Sequence, residues 1–386
     1  MQYRKFGTLD WEASALGFGC MRFPTMGGDS GKIDQDKTNE MIRTAIEGGV
    51  NYFDTAYVYH KEQSEVALGK ALENGLREKV RIATKLPIWL ATQADDFDRA
   101  LDEELVRLQT DGIDVYLMQS LEQGAWEKVQ RLRLLRKAEN AIADGRIQHV
   151  GFSFHDSLDV FKQIVDGYGK WDFCQIQYNY MDINFQAGLE GLQYAAAKNL
   201  GVVIMEPLLG GKLAIDLPAV QPIWNSAATK RKPADWALQW VWNQPEVSVV
   251  LSGMSTLEQV KENLVSADRS KPYLLTNEEL GLFDEARETL KNLRPIPCTD
   301  CKYCLPCPNE VNIPLNFETY NRVAMYDDIE HPRFEYANWI ASEQKASACI
   351  QCDECLSKCP QHIEISSWMP VIDEVLGNAQ PYQKEL

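Results

Sequence analysis

Residues 50–86, VNYFDTAYVYHKEQSEVALGKALENGLREKVRIATKL, decide the fold of this chain. Two short runs of β-branched and aromatic residues, 50–56 and 80–86, flank a longer amphipathic stretch. This is the pattern of a strand, a helix and a second strand. The pattern recurs through the first two-thirds of the sequence. Candidate strands lie at 14–21, 50–56, 80–86, 113–120, 147–154, 173–179, 201–207 and 247–253.

Eight alternations of strand and helix predict parallel strands joined by right-handed crossovers, and eight such units close into a (β/α)8 TIM barrel. An open doubly wound sheet shares this alternation, but no G-x-G-x-x-G follows an early strand. We expect residues 1–13 to form a hairpin at the barrel floor. The longest connection, 208–232, follows the seventh strand and is expected to border an active site.

The sequence changes character near residue 290, where Pro295 and Pro297 end the helical pattern. We therefore predict a barrel domain at 1–290. Residues 291–386 are expected to form a small, mainly helical ferredoxin-like iron–sulfur domain, because this segment carries eight of the ten cysteines. The remaining two, Cys20 and Cys174, lie in candidate strands and are expected to be buried in the core.

The eight cysteines form two runs, each followed by proline. The runs are Cys298, Cys301, Cys304 and Cys307, and then Cys349, Cys352, Cys355 and Cys359. The second run has the spacing typical of ferredoxins with two [4Fe-4S] clusters, and the first has one residue fewer before its last cysteine. In those ferredoxins the fourth cysteine of a run binds the other cluster. The spacing favours one cluster on Cys298, Cys301, Cys304 and Cys359, and another on Cys349, Cys352, Cys355 and Cys307. Structural zinc is the alternative, although zinc sites usually pair two short cysteine motifs.

Composition excludes several classes of partner. The 386 residues include 39 Lys and Arg against 56 Asp and Glu, a net charge of −17. This balance argues against nucleic acid and against an anionic membrane surface. No run approaches the ~20 apolar residues of a membrane span, and the first residues lack the pattern of a signal peptide. We expect a cytoplasmic protein whose cysteines are not a disulfide framework.

Polar residues follow the candidate strands at the end where barrel enzymes carry their chemistry. Asp54 ends the second strand, Tyr59 follows it, Lys85 closes the third and Gln119 closes the fourth. A lysine ammonium beside a tyrosine is expected to lower the pKa of the phenol, and Asp54 would orient the lysine. Such a phenol can donate a proton to a carbonyl oxygen. The alternative is a plain buried ion pair with Tyr59 as a rim aromatic.

The segments NYFDTAYVYHKEQSE, RIATKLP, GRIQHVGFSFHD, QIQYNY, EPLLGGKL and VVLSGMSTLEQVKENL resemble aldo-keto reductases. With CTDCKYCLPCP and CIQCDECLSKCPQHI, the chain resembles the subgroup that has a C-terminal 4Fe-4S ferredoxin-type domain. The resemblance implies a bound nicotinamide dinucleotide and reversible carbonyl reduction. It also implies a catalytic tetrad of Asp, Tyr, Lys and His, of which Asp54, Tyr59 and Lys85 fill three places.

The fourth place departs from the family, because Gln119 stands where the histidine is usual. An amide can hydrogen-bond a substrate oxygen but carries no titrating proton. Members that reduce conjugated C=C bonds also replace this histidine, with Glu, so an enone is an alternative substrate to a simple carbonyl compound.

The cofactor positions implied by the resemblance also depart in two places. Met205 stands where a tyrosine stacks on the nicotinamide, and Gln259 where NADPH-selective members have an arginine, so the choice of NADH or NADPH stays open. Family positions that are retained, and are expected to contact the cofactor, are Ser153, Gln175, Gly253, Ser255 and Asn263.

These features predict an iron–sulfur aldo-keto reductase with two [4Fe-4S] clusters and NADH or NADPH. It would reduce a small carbonyl compound or enone with Tyr59 as acid/base, and a redox partner protein is a further expectation. One alternative is an electron-transfer protein whose barrel is catalytically inert, which the loss of the histidine and the stacking tyrosine supports. Another is a reductase whose clusters are purely structural or sensing.

Overall fold

The computed structural model describes residues 1–386, and the chain divides into two compact units. The first unit contains residues 1–215 and 231–280, and the second contains 216–230 and 281–386. None of the helices combines the length and the apolar character that a membrane crossing requires.

The first unit is a closed barrel of eight parallel strands, preceded by a two-stranded antiparallel hairpin. In the barrel each strand pairs with the next along the chain, and the last strand closes onto the first. All eight predicted strands are present, so the predicted (β/α)8 barrel is confirmed. The strands are β1 (Tyr3–Lys5), β2 (Glu12–Ser14), β3 (Leu16–Gly19), β4 (Tyr52–Asp54), β5 (Arg81–Leu86), β6 (Ile113–Leu121), β7 (Ile147–Phe154), β8 (Phe173–Gln177), β9 (Gly201–Met205) and β10 (Val249–Ser252).

Helices alternate with the barrel strands and make up most of the second unit. Those of the first unit are α1 (Gln35–Glu47), α2 (Ser64–Ala71), α3 (Asp96–Leu108), α4 (Gln123–Arg131), α5 (Leu134–Ala143), α6 (Leu158–Tyr168), α7 (Gly188–Ala197), α9 (Pro233–Trp242) and α10 (Leu257–Asp268). Helix α11 (Asn277–Asn292) runs from the first unit into the second. The second unit also contains α8 (Gln221–Ser226), α12 (Ile313–Tyr326), α13 (Glu330–Asn338) and α14 (Ile365–Ile372).

The N-terminal hairpin closes the floor of the barrel, as predicted. The Phe6 ring stacks on Trp11 with their centroids 4.9 Å apart and lies 5.7 Å from Tyr52 and 5.5 Å from Phe173 inside the barrel. Alternate residues of the strands pack with these rings in one apolar cluster that includes Ala83. Because side chains alternate along a strand, the next inward positions lie towards the carboxyl-terminal ends. The barrel interior is thus apolar at the floor and polar at the mouth.

The second unit is mainly helical, as predicted, with an apolar core of its own around α12 and α14. The connection 208–232 is divided between the two units, and its place beside an active site stays a prediction. Residues 216–230, including α8, belong to this second unit, so only the two ends of that connection belong to the barrel. Trp224 of α8 packs edge-on against Phe283 of α11 with centroids 5.2 Å apart. This aromatic contact joins α8 to α11 within the second unit.

Gly151 of β7 tests the packing of the barrel interior. A Cβ atom at this position would overlap the ring and the carbonyl group of Phe173, so Gly151→Ala must displace the strand. We expect the variant to lose about 1–3 kcal/mol of stability, as overpacked cores do.

Gly281→Ala is the matched control, because nothing lies within 4 Å of the added atom in α11. This change should be neutral or stabilise the protein by up to about 1 kcal/mol. Thermal unfolding followed by circular dichroism checks both variants. Equal midpoints for Gly151→Ala and the wild type would contradict the packing described for β7 and β8.

Candidate active site and metal centre

Barrel closure brings the predicted polar residues to one end of the first unit. Asp54 is the last residue of β4, and Lys85 lies near the end of the neighbouring strand β5. Gln119 lies near the end of β6 and Gln175 in β8. All four side chains are buried. Each of them lies two residues beyond an apolar residue of the cluster at the barrel floor, which we call the floor cluster. Because side chains alternate along a strand, all four point to the inside of the barrel.

A buried ion pair lies at the centre of this group. The Lys85 ammonium donates to Asp54 Oδ1 at 2.6 Å and to the Thr55 carbonyl oxygen at 2.6 Å. The Lys85 side chain is only 2% exposed and that of Asp54 only 4%, so water cannot replace either partner. The ammonium also lies 4.9 Å from the centre of the half-buried Tyr59 ring. The structure therefore brings together Asp54, Tyr59 and Lys85.

The ionisation of Tyr59 differs from the sequence-based expectation. Burial raises the pKa of Tyr59 above its ordinary value, while the neighbouring Lys85 lowers that pKa by a smaller amount. Burial lowers the pKa of Lys85, but Asp54 and Tyr59 raise it by more, so the ammonium stays charged. The expected lowering of the Tyr59 pKa by Lys85 is therefore present, but burial outweighs it and the net shift of the pKa is upward. A phenol with a raised pKa keeps its proton at neutral pH and is suited to donate it.

Gln119 lies in an irregularity of the barrel. The pairing register of β6 with β7 shifts between Met118 and Leu121. Ser120 there has a left-handed backbone with φ of 55°, and its N–H donates to Ser153 Oγ at 2.8 Å. Such bulges re-aim side chains beside active sites. The Gln119 Oε1 atom is buried without a hydrogen-bond partner and so is available to a bound molecule.

The expected nicotinamide positions provide polar groups that fit a carboxamide. Gln175 lies next to Asp54, and its Oε1 atom is buried without a partner. The Ser153 oxygen accepts from Ser120, which leaves its hydroxyl hydrogen free to donate. Met205 at the end of β9 is half-buried against the floor cluster. An unpaired acceptor, a hydroxyl donor and an apolar thioether therefore suit a nicotinamide ring with its carboxamide.

The residues expected at the adenosine end lie where β10 meets α10. Gln259 is in the first turn of α10, and its side-chain oxygen accepts from the Ser255 N–H at 2.7 Å. Asn263 is buried and donates to Ser252 Oγ at 3.0 Å. Gly253 packs against the aliphatic part of Arg22, since a Cβ there would lie 3.2 Å from Arg22 Cδ. These contacts order the turn, and cofactor contact by these residues stays a prediction.

Sequence reasoning missed three residues around the ion pair. Cys20 is fully buried, as expected, but lies close enough to Asp54 and Lys85 to feel their charges. Thr55 supplies the carbonyl that binds Lys85, and its hydroxyl donates to Ser64 Oγ at 2.9 Å. The Ser64 hydroxyl then donates to the Cys20 carbonyl at 2.9 Å. The only signal in the sequence that could have indicated them is that Cys20 and Thr55 directly follow strands, at the end of the barrel where the candidate site lies.

The cysteines of the second unit surround two cavities. One cavity is lined by Cys298, Cys301, Cys304 and Cys359. The other is lined by Cys307, Cys349, Cys352 and Cys355. Ile313 and Ile365 line both cavities, which are therefore neighbours. Each cavity thus receives three cysteines from one run and the fourth from the other.

The chemistry of this donor set fits a multinuclear cluster. Burial and, to a smaller extent, the neighbouring cysteines raise the pKa values of Cys304 and Cys355 to about 11. Four thiolates around one cavity need a bound cationic group to ionise together. No three or more His, Cys, Asp or Glu side chains are grouped to hold a single metal ion. Four cysteines line each of the two cavities, and Cys₄ sets of this kind hold iron–sulfur clusters.

The comparisons with known proteins agree with this architecture. The model of the aldo/keto reductase family matches residues 15–288, so the chain belongs to that family. A 4Fe-4S dicluster domain matches residues 297–364. The chain is therefore an NAD(P)-dependent oxidoreductase of the aldo-keto reductase type with a C-terminal 4Fe-4S domain, and the family acts on small carbonyl compounds.

Individual relatives and solved structures match about three quarters of this chain. L-galactose dehydrogenase of Arabidopsis thaliana is 27% identical over 318 residues, which cover 76% of this chain and 96% of the relative. The aldo-keto reductase AKR11C1 of Bacillus halodurans, in its holo form, is 26% identical with a TM-score of 0.59, over 74% of this chain and 96% of the other. An aldo-keto reductase of Klebsiella pneumoniae, solved with NADPH, shares the fold at 23% identity and a TM-score of 0.59, over 74% and 94% of the two chains.

A double-mutant cycle tests the buried ion pair without any assay of activity. Lys85→Met leaves Asp54 as an uncompensated buried carboxylate and should cost about 3–5 kcal/mol of stability. Lys85→Met combined with Asp54→Asn removes both charges and should be less destabilising than Lys85→Met alone. Thermal unfolding under anaerobic conditions measures both. If the double variant loses as much stability as Lys85→Met and Asp54→Asn lose singly when summed, Lys85 and Asp54 do not interact as described.

Proposed function

We propose that this protein reduces a small carbonyl compound or a conjugated enone at the expense of NADH or NADPH, with Tyr59 as the acid. The observation that carries the proposal is the Lys85 ammonium, which is bound to Asp54 at 2.6 Å and lies 4.9 Å from the Tyr59 ring at the barrel mouth. A nicotinamide bound there supplies a hydride. Tyr59 donates its proton to the substrate oxygen, and in the reverse reaction the phenolate takes that proton back.

The neighbouring residues have separate roles in this proposal. Lys85 carries the positive charge that stabilises the Tyr59 phenolate after the proton has left. Asp54 fixes the direction of Lys85, and Gln119 hydrogen-bonds the substrate oxygen without exchanging a proton. The position of Gln119, in place of the family's histidine, is the reason to include enones as substrates.

The proposed cofactor contacts combine the family positions with the unpaired groups of the site. Ser153 and Gln175 bind the carboxamide, and Met205 covers the ring. Gly253, Ser255, Gln259 and Asn263 lie at the adenosine end, where helix α10 directs its N-terminus. Since Gln259 offers no cation to a 2′-phosphate, we propose no preference for NADPH over NADH.

The second unit is proposed to bind two [4Fe-4S] clusters in the crosswise arrangement. One cluster takes Cys298, Cys301, Cys304 and Cys359, and the other takes Cys307, Cys349, Cys352 and Cys355. The grouping of these cysteines around two cavities supports both sets. The domain boundary proposed at residues 290/291 is supported by family matches that end at 288 and begin at 297.

Two further proposals concern the surroundings of the protein. A redox partner protein would deliver single electrons to the clusters. The second proposal is a cytoplasmic location, since all ten cysteines are free of disulfides and the cytoplasm is reducing.

Titration of NADH and NADPH, followed by their fluorescence, separates the proposed reductase from an electron-transfer protein with an inert barrel. The inert barrel would bind neither dinucleotide.

The pH dependence of carbonyl reduction tests the acid role of Tyr59. Because burial raises the pKa of Tyr59, kcat/KM for 4-nitrobenzaldehyde should stay constant between about pH 7.5 and 9 and fall only above about pH 10, as the phenol ionises. Gln119→His introduces a titrating group and should add a change near pH ~6.5 while raising the rate of ketone reduction. A rate that falls from neutral to pH 9 in the wild type would contradict the assignment of Tyr59.

Cysteine variants test the crosswise arrangement of the clusters. Cys301→Ala and Cys359→Ala should lose the same cluster, so the electron paramagnetic resonance spectra of the two reduced variants should agree. Cys352→Ala and Cys307→Ala should retain that cluster and lose the other. Iron and sulfide analysis should find about half of the wild-type content in each variant. A Cys359→Ala spectrum that matches Cys352→Ala instead would refute the crosswise sets, and zinc without iron would refute both clusters.

A further inference from the structure

A strained turn follows Tyr59 directly. His60, Lys61 and Glu62 have left-handed φ angles of 53°, 51° and 69° in succession. Residues with a Cβ atom avoid this region, so a run of three persists only where the surroundings hold it. The Gln63 N–H donates to the His60 carbonyl at 3.1 Å, and the Ser64 N–H donates to the Tyr59 carbonyl at 3.2 Å. The turn therefore fixes the direction in which the Tyr59 backbone enters the barrel mouth.

His60 holds this turn with both of its ring nitrogens. The Phe23 N–H donates to His60 Nε2 at 3.1 Å, and His60 Nδ1 lies 2.8 Å from the Ser30 carbonyl oxygen. A backbone N–H can only donate and a carbonyl can only accept. Hence Nε2 accepts, Nδ1 carries the hydrogen, and the imidazole is neutral. The His60 ring also stacks on the Phe23 ring, with centroids 5.9 Å apart.

The other two residues of the turn have weaker attachments. Lys61 pairs with Asp29 at 3.0 Å, but its side chain is 69% exposed. Glu62 pairs with Arg107 at 2.7 Å and is 50% exposed. The exposed pair of Lys61 contributes little, because water screens it and its long side chains lose entropy. Arg107 is only 16% exposed, but Glu62 shares it with Glu65 and Glu103. His60, which bonds two backbone groups of another loop, is therefore the principal attachment of the turn.

The partner of His60 is an ordered loop and not a free chain. Within the loop of residues 23–34, the Met26 N–H donates to the Lys32 carbonyl at 2.8 Å and the Asp34 N–H donates to the Pro24 carbonyl at 2.8 Å. Gly31 approaches Lys61 so closely that a Cβ would lie 3.2 Å from Lys61 Cδ. The loop directly follows the strand β3 and the turn at Cys20, so it provides a rigid frame for the turn at 60–62.

We propose that His60 is a positioning residue for proton transfer by Tyr59. As a neutral imidazole, His60 joins the turn 60–62 to the loop 23–34 and so holds the Tyr59 hydroxyl at the position that Lys85 and the substrate require. This inference rests on the proposed function of Tyr59 as the acid. It assigns a role to a histidine that does not touch the reacting atoms and that replaces none of the tetrad residues.

The test compares two substitutions of His60 with a control histidine. His60→Phe keeps the ring stacked on Phe23 but removes both hydrogen bonds, and His60→Gln restores one acceptor and one donor. His149→Phe is the control, since His149 lies in the first half of β7, 3.6 Å from Asp172. The readouts are kcat for 4-nitrobenzaldehyde at saturating nicotinamide dinucleotide and the Kd of that dinucleotide.

His60→Phe should lower kcat by about 10–100-fold with an unchanged Kd, as a misplaced catalytic group does. His60→Gln should recover kcat to within about threefold of the wild type, and His149→Phe should leave it unchanged. The proposal is overturned if His60→Phe retains the wild-type kcat, if His60→Gln is as slow as His60→Phe, or if His149→Phe is equally slow.

Hydrogen–deuterium exchange separates this proposal from the proposed function. Amides in the peptide 56–64 should exchange faster in His60→Phe than in the wild type and in His149→Phe, without any cofactor or substrate. If the wild type shows no turnover, the acid role of Tyr59 fails while the exchange still measures the attachment by His60. Unchanged exchange in His60→Phe would overturn the positioning role.

Discussion

The ion pair between Lys85 and Asp54 is the interaction on which the candidate site depends. Two opposite charges are held at 2.6 Å inside the barrel, with almost no access to water. Neither residue can be lost alone without leaving a buried charge, which is far more costly than an exposed one. The pair lies on neighbouring parallel strands, so barrel closure alone brings the two side chains together. Once Asp54 fixes it, the Lys85 ammonium holds its positive charge 4.9 Å from the centre of the Tyr59 ring.

The second unit also contains buried groups that need a partner of opposite charge. Its cysteines lie around two cavities where burial disfavours thiolates, so the arrangement needs a positively charged cluster to be stable. The shared walls of Ile313 and Ile365 place the two cavities side by side. Clusters there would exchange single electrons, whereas a nicotinamide supplies a hydride. The second unit would therefore transfer one electron at a time, whereas the barrel would transfer two electrons as a hydride. The reduction proposed here needs only the barrel.

Much of the fold could be predicted from local pattern. The eight strands follow from the recurring apolar runs, and the hairpin at the floor follows from a short turn between Phe6 and Trp11. The spacing of the cysteines anticipated how they group in space, although their roles as ligands stay a prediction. Each of these features depends on residues close together in the sequence or on a fixed period.

The features that could not be predicted depend on three-dimensional surroundings. The raised pKa of Tyr59 results from burial, which outweighs the lysine charge that the sequence does show. The bulge at Ser120 and the left-handed turn at His60 contain no glycine, so nothing in the local sequence indicates them. The transfer of residues 216–230 to the second unit reflects packing between distant segments, such as that of Trp224 with Phe283.

The transfer of deuterium from 4-deuterated NADPH or NADH to the carbonyl carbon of 4-nitrobenzaldehyde tests the central claim most directly. The wild-type protein should give an alcohol that carries deuterium, and Tyr59→Phe, which keeps the ring beside Lys85 but lacks the proton, should give almost none. The two proteins should bind the dinucleotide equally well. Equal deuterium incorporation by Tyr59→Phe and the wild type would contradict the claim that this phenol, held by the buried ion pair, is the acid.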